Sequence, residues 1–215
     1  MVIEPLYGLC NRLRVVFSWH KYAKECGESL VVVWKPTSAC NGYFLDCFQP
    51  VENITFVDEW RGQEPVKKFT PLDTCFSFED LKLTPRLYLQ LKNRLQLLTS
   101  DFVAAHIRRT DFTKSMQKKG IEERTDQEFL TFFNKNTPRP CFLATDNRKT
   151  QAFFEEQLGS RLIICAEIKY TTEQRKTSLE VAALDLFTCT AATKFIGTPA
   201  SSFTGTINRL RAARK

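Results

Sequence analysis

Short apolar runs alternate with helix-like segments along most of this chain, and this alternation limits its fold more than any other feature. Runs of strand length occur at residues 30–34, 102–107 and 194–197. The intervening segments carry apolar residues at helical spacing, as at Leu13, Val16 and further residues on the same face. Strands that alternate with helices form parallel sheets covered by helices. The sequence therefore predicts an α/β protein.

The pattern divides into two halves, residues 1–98 and 99–215. In the first half it predicts strands at 1–6, 30–34 and 54–57, a helix from Asn11 to Gly27, a short helix or loop at 40–47, a loop at 62–73 and a helix at 78–98. In the second half it predicts strands at 102–107, 141–144, 162–165 and 194–197, a loop at 112–124, and helices at 126–134, 148–158, 178–189 and from about 202 to 214. Thr125 and Glu128 are predicted to form a capping box at the start of the helix 126–134. Gly159 is predicted to end the helix 148–158.

Polar residues follow three predicted strands of the second half, in segments 106–111, 145–146 and 197–204. The carboxyl ends of parallel strands meet along one edge of a sheet, where open α/β folds bind ligands. Arg108 and Arg109 at such an edge favour a phosphate ligand, because guanidinium groups pair bidentately with its oxygens. The alternatives that involve no ligand are that the two arginines are solvated at the surface and that His106 is buried in the core. For Asp146, and for Ser201 or Ser202, the alternative is a helix N-cap.

The segment after the first strand provides a second candidate anion site. Residues 7–12 form a turn that leads directly into a helix, so backbone N–H groups at the helix start are available to an anion. The net charge of +7, from 31 basic and 24 acidic residues, suits a polyanionic partner without choosing among nucleotides, nucleic acids and anionic surfaces.

Eight cysteines without a CxxC pair, and only two histidines, make a zinc site improbable on composition. Cys141 and Cys165 lie in apolar runs and are expected to be buried free thiols. Cys40, Cys47 and Cys75 lie in looser sequence, where an oxidising compartment would let them pair. Nothing resembles a signal peptide or a membrane span, which predicts a soluble, cytoplasmic protein without stable membrane insertion.

Four motifs, in order, resemble those of the α1,6- and protein O-fucosyltransferase superfamily. Residues 7–13 read YGLCNRL and resemble its GxxNR turn, and residues 106–111 read HIRRTD and resemble its HxRR motif. Residues 142–146 read FLATD and match its ATD strand end. Residues 184–187 (LDLF), 195–197 (FIG) and 201–204 (SSFT) resemble its last motif. The resemblance covers nearly the whole chain.

This resemblance implies a GT-B architecture, in which two Rossmann-like halves with parallel sheets face a cleft. The half 1–98 would carry the GxxNR turn and the acceptor side, and the half 99–215 would bind the GDP-sugar. The implied activity is an inverting, metal-independent transfer of fucose from GDP-fucose to a glycan or protein hydroxyl. The donor is a substrate, and no cofactor or nucleic acid is implied.

The resemblance also implies roles for individual residues. Arg108 would stabilise the departing GDP, and Asp111 is the second candidate catalytic residue, with Glu4, Glu122 and Glu123 as other acidic candidates for the acceptor base. The residues implied in substrate binding are Gly8, Cys10, Asn11, His106, Arg109, Asp146, Asp185, Ser201, Ser202 and Phe203. No metal ligand is implied.

Cys10 departs from the small or aromatic residues that many relatives carry at its position, and no base aligns with those of relatives. The alternatives are therefore an inactive nucleotide- or glycan-binding module, a GT-B enzyme for another GDP-sugar, and a nucleic-acid-binding α/β domain. The last predicts exposed aromatic rings among basic residues on one face. The 18 phenylalanines fit a core better. The sequence predicts neither the acceptor nor the oligomeric state.

Overall fold

A computed structural model describes residues 1–109, 120–165 and 178–214. The described strands form two parallel four-stranded sheets with strand orders β3-β2-β1-β4 and β7-β6-β5-β8. The strands are β1 Val2–Pro5, β2 Leu30–Val33, β3 Ile54–Val57, β4 Val66–Lys68, β5 Val103–Ile107, β6 Cys141–Thr145, β7 Leu162–Ile163 and β8 Lys194–Gly197. The α-helices are α1 Leu9–Cys26, α2 Phe44–Cys47, α3 Pro85–Leu98, α4 Asp126–Asn134, α5 Arg148–Leu158, α6 Leu179–Ala191 and α7 Ser202–Ala212, with a 3₁₀ turn at Gly159–Arg161. The predicted α/β fold class is confirmed.

Several helix ends follow directly from their residues. Gly27 ends α1 in the left-handed conformation, at φ 68°, which a glycine adopts without the steric cost of a Cβ atom. At the start of α4, the Glu128 N–H donates to the Thr125 hydroxyl, and the Glu128 carboxylate accepts the Thr125 N–H. The predicted capping box is therefore confirmed.

The segment predicted as a loop at 62–73 contains strand β4, so this prediction was wrong in part. Strand β4 lies at the edge of the first sheet beside β1, and the Leu6 N–H donates to the Lys68 carbonyl at 2.7 Å. Its sequence, Val-Lys-Lys, has no apolar alternation because the side chains of Val66 and Lys67 are exposed. An edge strand with two lysines shows little of the pattern that predicts buried strands.

Helix α3 starts seven residues later than the predicted helix at 78–98. Thr84 is its N-cap and accepts the Leu87 N–H, and Pro85 occupies the first helical position. A proline disfavours the helical conformation in the residue before it, which separates the preceding segment from α3. In that segment Leu83 pairs with Phe48 in an antiparallel bridge. Strand β7 is also shorter than predicted, since it ends at Ile163 rather than at residue 165.

One hydrophobic cluster connects the two sheets. It includes Ile3 of the first sheet, Ala104 of the second, and Ile207 of α7. Helix α7, at the end of the chain, packs against both α1 and α6. A second cluster covers the other face of the second sheet with Phe129, Phe133 and other residues of α4 and α5. The boundary at residues 98 and 99 stays a prediction.

Within the described ranges, no helix combines the length and the apolar character needed to cross a membrane.

Candidate functional site

A cleft lies between residues of the first half and the carboxyl ends of strands in the second sheet. Its walls come from α1, the segment 39–41, the ends of β5 and β6, and the starts of α6 and α7. Its outline encloses about 1030 Å³ free of protein atoms, a volume that includes open solvent. The predicted site residues that line it are Gly8, Cys10, Asn11, His106, Arg108, Asp146, Asp185, Ser201, Ser202 and Phe203.

The first wall of the cleft is the amino end of α1. Gly8 is the N-cap, in extended conformation, and no side chain caps this end of the helix. Tyr7, just before it, has a φ of 68°, in the left-handed region that non-glycine residues rarely adopt. The uncapped end leaves the first N–H groups of α1 directed at the cleft, where the helix dipole favours an anion.

Arg12 fixes this turn, and the sequence did not predict its role. The side chain is buried, and its guanidinium donates to the Tyr7 carbonyl at 2.8 Å, the Lys35 carbonyl at 2.7 Å and the Thr37 hydroxyl at 3.0 Å. It also lies 5.1 Å from the centre of the Trp34 ring. Arg12 thus joins the turn before α1 to the loop that leads to the cleft segment 39–41. The sequence signal that could have indicated this role was the place of Arg12 in the segment that resembles the GxxNR turn.

The amino end of α7 forms the opposite wall. Ser201 is its N-cap, is almost fully buried and makes no side-chain capping bond. The connection from β8 passes through Ala200, whose φ of 55° is left-handed. This end of α7, like that of α1, offers unpaired helix N–H groups to an anion. Two helix amino ends therefore face one cleft.

His106 lies at the bottom of the cleft and is held by α7. Its Nδ1 is 2.9 Å from the Thr204 hydroxyl, and its ring stacks on Phe203 with centroids 4.6 Å apart. Burial, and secondly the positive charge of Arg108, lower its pKa to about 3. The imidazole is therefore neutral at pH 7, with one nitrogen able to donate and the other able to accept.

Arg108 is the cationic side chain at the carboxyl end of β5. Its Nε lies 3.8 Å from a carboxylate oxygen of Asp146, and its backbone N–H donates to the Thr198 hydroxyl at 2.9 Å. The other Asp146 oxygen accepts the Arg109 N–H at 2.9 Å. Asp146 thus lines the cleft and also orients Arg108. The Arg109 N–H holds the Asp146 carboxylate in place.

Arg109 points away from the cleft, in contrast to its predicted role in substrate binding. Its guanidinium donates to Glu123 at 2.6 Å, to the Arg124 carbonyl at 2.9 Å and to Asp126, and it lies over the Phe129 ring. Of the two successive arginines, Arg108 lines the cleft and Arg109 does not. In the structure Arg109 connects β5 to the start of α4.

Asp185 lines the cleft from α6, and Arg94 of α3 is its partner. Arg94 Nη1 donates to an Asp185 oxygen at 2.8 Å, and both side chains are mostly buried. Burial raises the pKa of Asp185 to about 6, although the charge and the hydrogen bond of Arg94 act in the opposite direction. The sequence did not predict Arg94, since nothing near it in sequence marks it as part of the site.

The predicted catalytic residue Asp111 lies outside the described residues. Of the other acidic candidates, Glu4 lies 3.9 Å from Lys35, Glu123 binds Arg109, and Glu122 is exposed. None of these three lines the cleft. Among the described residues, the carboxylates that line it are Asp146 and Asp185, and each lies beside an arginine.

No disulfide joins any of the eight cysteines, so the structure shows no disulfide between Cys40, Cys47 and Cys75. Cys10 and Cys40 are buried and line the cleft. Burial raises the pKa of Cys10 to about 12, which keeps its thiol neutral. Cys10 therefore adds no negative charge to a site whose helix ends favour anions.

Comparison with solved structures agrees with this geometry. NodZ α-1,6-fucosyltransferase from Bradyrhizobium aligns at 14% identity with a TM-score of 0.67, over 97% of this chain and 92% of the other. NodZ soaked with GDP-fucose aligns at 13% with a TM-score of 0.64, over 97% and 91%. POFUT1 in complex with GDP aligns at 13% with a TM-score of 0.64, over 98% and 93%.

This chain has the GT-B fold of fucosyltransferases. The fold thus agrees with the superfamily suggested by the four sequence motifs. No protein-family model matches the sequence, and no curated protein matches it either. At 13–14% identity the likeness concerns the fold, so the chemistry has to be argued from the cleft itself.

Proposed function

We propose that this protein is a GDP-fucose-dependent fucosyltransferase that transfers fucose to a hydroxyl group of a glycan or protein. The observation that carries this proposal is the convergence of Arg108 and the uncapped amino ends of α1 and α7 on one cleft. These groups together suit a nucleoside diphosphate, which presents several phosphate oxygens to them. The GDP-fucose and GDP complexes of the fold neighbours support the choice of donor.

The base of the nucleotide would bind beside His106, Phe203 and Asp185. Asp185 lines the same cleft as the stacked pair of His106 and Phe203. A carboxylate accepts two hydrogen bonds from the N1–H and amino group of guanine, whereas uracil offers only one such donor. This difference supports GDP over UDP as the nucleotide.

The proposed reaction is a single displacement that inverts the anomeric carbon. A bond forms from the acceptor oxygen to that carbon while its bond to the β-phosphate oxygen breaks, and GDP leaves with the electron pair. Arg108 and the helix ends stabilise the negative charge that grows on the leaving diphosphate, and in the proposal they do so without a metal ion. The acceptor proton passes to a carboxylate base, for which Asp111 stays the proposed residue.

The test is calorimetric titration with GDP, GDP-fucose, GDP-mannose, UDP and a short single-stranded oligonucleotide. We expect GDP and GDP-fucose to bind the wild type, and Arg108→Ala to weaken both by about a hundredfold, because the phosphates lose a charge-assisted bidentate contact. Arg139→Ala is the matched control. Its side chain pairs with Asp101 before the start of β5, at the other end of the sheet.

Equal loss in both variants, or salt-sensitive oligonucleotide binding without GDP binding, would refute the proposal. Preference for GDP-mannose over GDP-fucose would assign the cleft to another GDP-sugar. Hydrolysis or transfer assays with GDP-fucose then separate an enzyme from a binding module, since only the enzyme releases GDP.

A further inference from the structure

A second groove lies at the amino end of α7. It is lined by Arg14 of α1, Arg124 before α4, and Arg209, Asn208 and Ser202 of α7, and we call these five residues the arginine groove. The residues that line it include no aspartate or glutamate. It shares Ser201 and Ser202 with the cleft described above, so the two sites adjoin at one helix end.

Among the described residues, no carboxylate forms an ion pair with the arginines of this groove. Within the described part of the chain, neither Arg14 nor Arg209 forms an ion pair, although both side chains are partly buried. Arg209 lies over the Phe76 ring at 4.6 Å, which orients its guanidinium without neutralising it. Arg124 donates to the Gly197 carbonyl at 2.7 Å, which fixes it beside the end of β8.

Arg14 and Arg209 line the same groove and carry the same charge. The pKa of Arg14 is lowered first by burial and then by the charge of Arg209. Like charges in partly buried positions of one groove cost the fold free energy, and a bound anion would offset this cost. The other arginines of α1 and α7 donate to backbone carbonyls instead, Arg12 to two and Arg211 to four.

We propose that the arginine groove binds a phosphate or sulfate ester carried by an acidic sugar. A guanidinium group donates two parallel hydrogen bonds to two oxygens of such an ester, and the amide of Asn208 and the hydroxyl of Ser202 can donate to its remaining oxygens. Because the groove adjoins the cleft, an ester held there lies beside the donor. The assignment of this ester to the acceptor rests on the proposed function, whereas the inference that the groove binds an anion does not.

The test is a set of titrations with glucose 6-sulfate, glucose 6-phosphate, unsubstituted glucose, inorganic sulfate and, in parallel, GDP. The variants are Arg14→Gln and Arg209→Gln, with Arg139→Gln as the control and thermal unfolding as the check that each variant folds. We expect the esters to bind roughly tenfold more weakly to Arg14→Gln and Arg209→Gln and equally to Arg139→Gln, since one charge-assisted contact is lost. GDP affinity should change less than twofold.

Ester affinity that is absent, or equal in all variants, would overturn the inference. A loss of GDP affinity as large as the loss of ester affinity would also overturn it, because the groove would then belong to the donor site. Inorganic sulfate that binds as tightly as the sugar sulfate would overturn the assignment to a sugar. Ester binding without any GDP binding to the wild type would instead refute the proposed function and leave the groove supported.

Discussion

Gly197 stands where the end of β8 meets the first turn of α7. A Cβ atom at this position would lie 2.5 Å from both Cγ2 and Oγ1 of Thr204, which is closer than atoms can approach. Thr204 in turn holds the His106 ring. We expect Gly197→Ala to displace Thr204, to weaken GDP binding by about tenfold and to destabilise the fold by roughly 1–3 kcal/mol. Calorimetry and urea denaturation measure the two effects.

Gly205, eight residues along the chain, is the control for this substitution. A Cβ atom there would meet no heavy atom within 4 Å, and the residue is exposed inside α7. Gly205→Ala should therefore stabilise the fold by roughly 0.5–1 kcal/mol through helix propensity and leave GDP affinity unchanged. Similar losses of GDP affinity and of stability in the two variants would show that the close approach at Gly197 is unimportant.

Because His106 is neutral in the folded state, we expect the stability of the fold to depend on pH. Its folded-state pKa of about 3 lies below the value of 6.5 in the unfolded chain. Between these values the unfolded state binds more protons, so the fold loses stability as the pH falls, by at most about 1.4 kcal/mol per unit from this residue. His106→Asn should remove that slope, so the stability difference between wild type and variant shrinks from pH 6.5 towards pH 4.

Urea denaturation at several pH values measures this difference. Effects of Asp185 and other groups largely cancel because they are present in both proteins. In parallel, the NMR signal of the His106 ring should not titrate between pH 8 and pH 4. A midpoint near 6.5 would mean that the imidazole is solvated and able to carry charge in the cleft.

At the scale of elements, the ion pair of Arg94 and Asp185 connects α3 to α6. Removing one partner leaves the other charge mostly buried, and Arg94→Met should raise the pKa of Asp185 further above its present value of about 6. We expect this variant to lose about 2 kcal/mol of stability at pH 7. The double variant Arg94→Met/Asp185→Leu should recover most of this loss.

The double variant separates packing from ligand binding. Because Asp185 lines the cleft, we expect the double variant to bind GDP more weakly than the wild type even where stability returns. Thermal unfolding and GDP titration of the same samples measure the two quantities. Recovery of GDP affinity together with stability would show that Asp185 only supports the fold.

Elements with strong local signals were predicted almost to the residue. Strands β3 and β8, and helix α5 with its closing Gly159, match the expected ranges. The start of α3 and the edge strand β4 were missed. Leucines of the irregular segment before α3 are buried by contacts with distant residues, which gives them an apolar pattern without a helix. Strand β4 exists because β1 offers it a hydrogen-bonding edge.

For the whole molecule, the shared hydrophobic cluster predicts cooperative unfolding. The cluster spans both sheets, and α7 packs against α1, so neither half keeps its core without the other. All three tryptophans, Trp19, Trp34 and Trp60, lie in the first half. We expect thermal transitions followed by tryptophan fluorescence and by far-ultraviolet circular dichroism to coincide. A fluorescence transition at a clearly different temperature would mean that the halves unfold separately.

The sequence by itself determined the α/β class, most elements, and the strand ends and helix starts that meet at the cleft. This was possible because strand ends, helix starts and capping residues are local features, and parallel topology brings the carboxyl ends of strands to one edge. Only the tertiary structure decided that Arg109 contacts the start of α4, that Arg94 pairs with Asp185, and that Arg14 and Arg209 line one groove. These pairings join residues far apart in the chain or depend on side-chain direction, and no periodicity in the sequence records either.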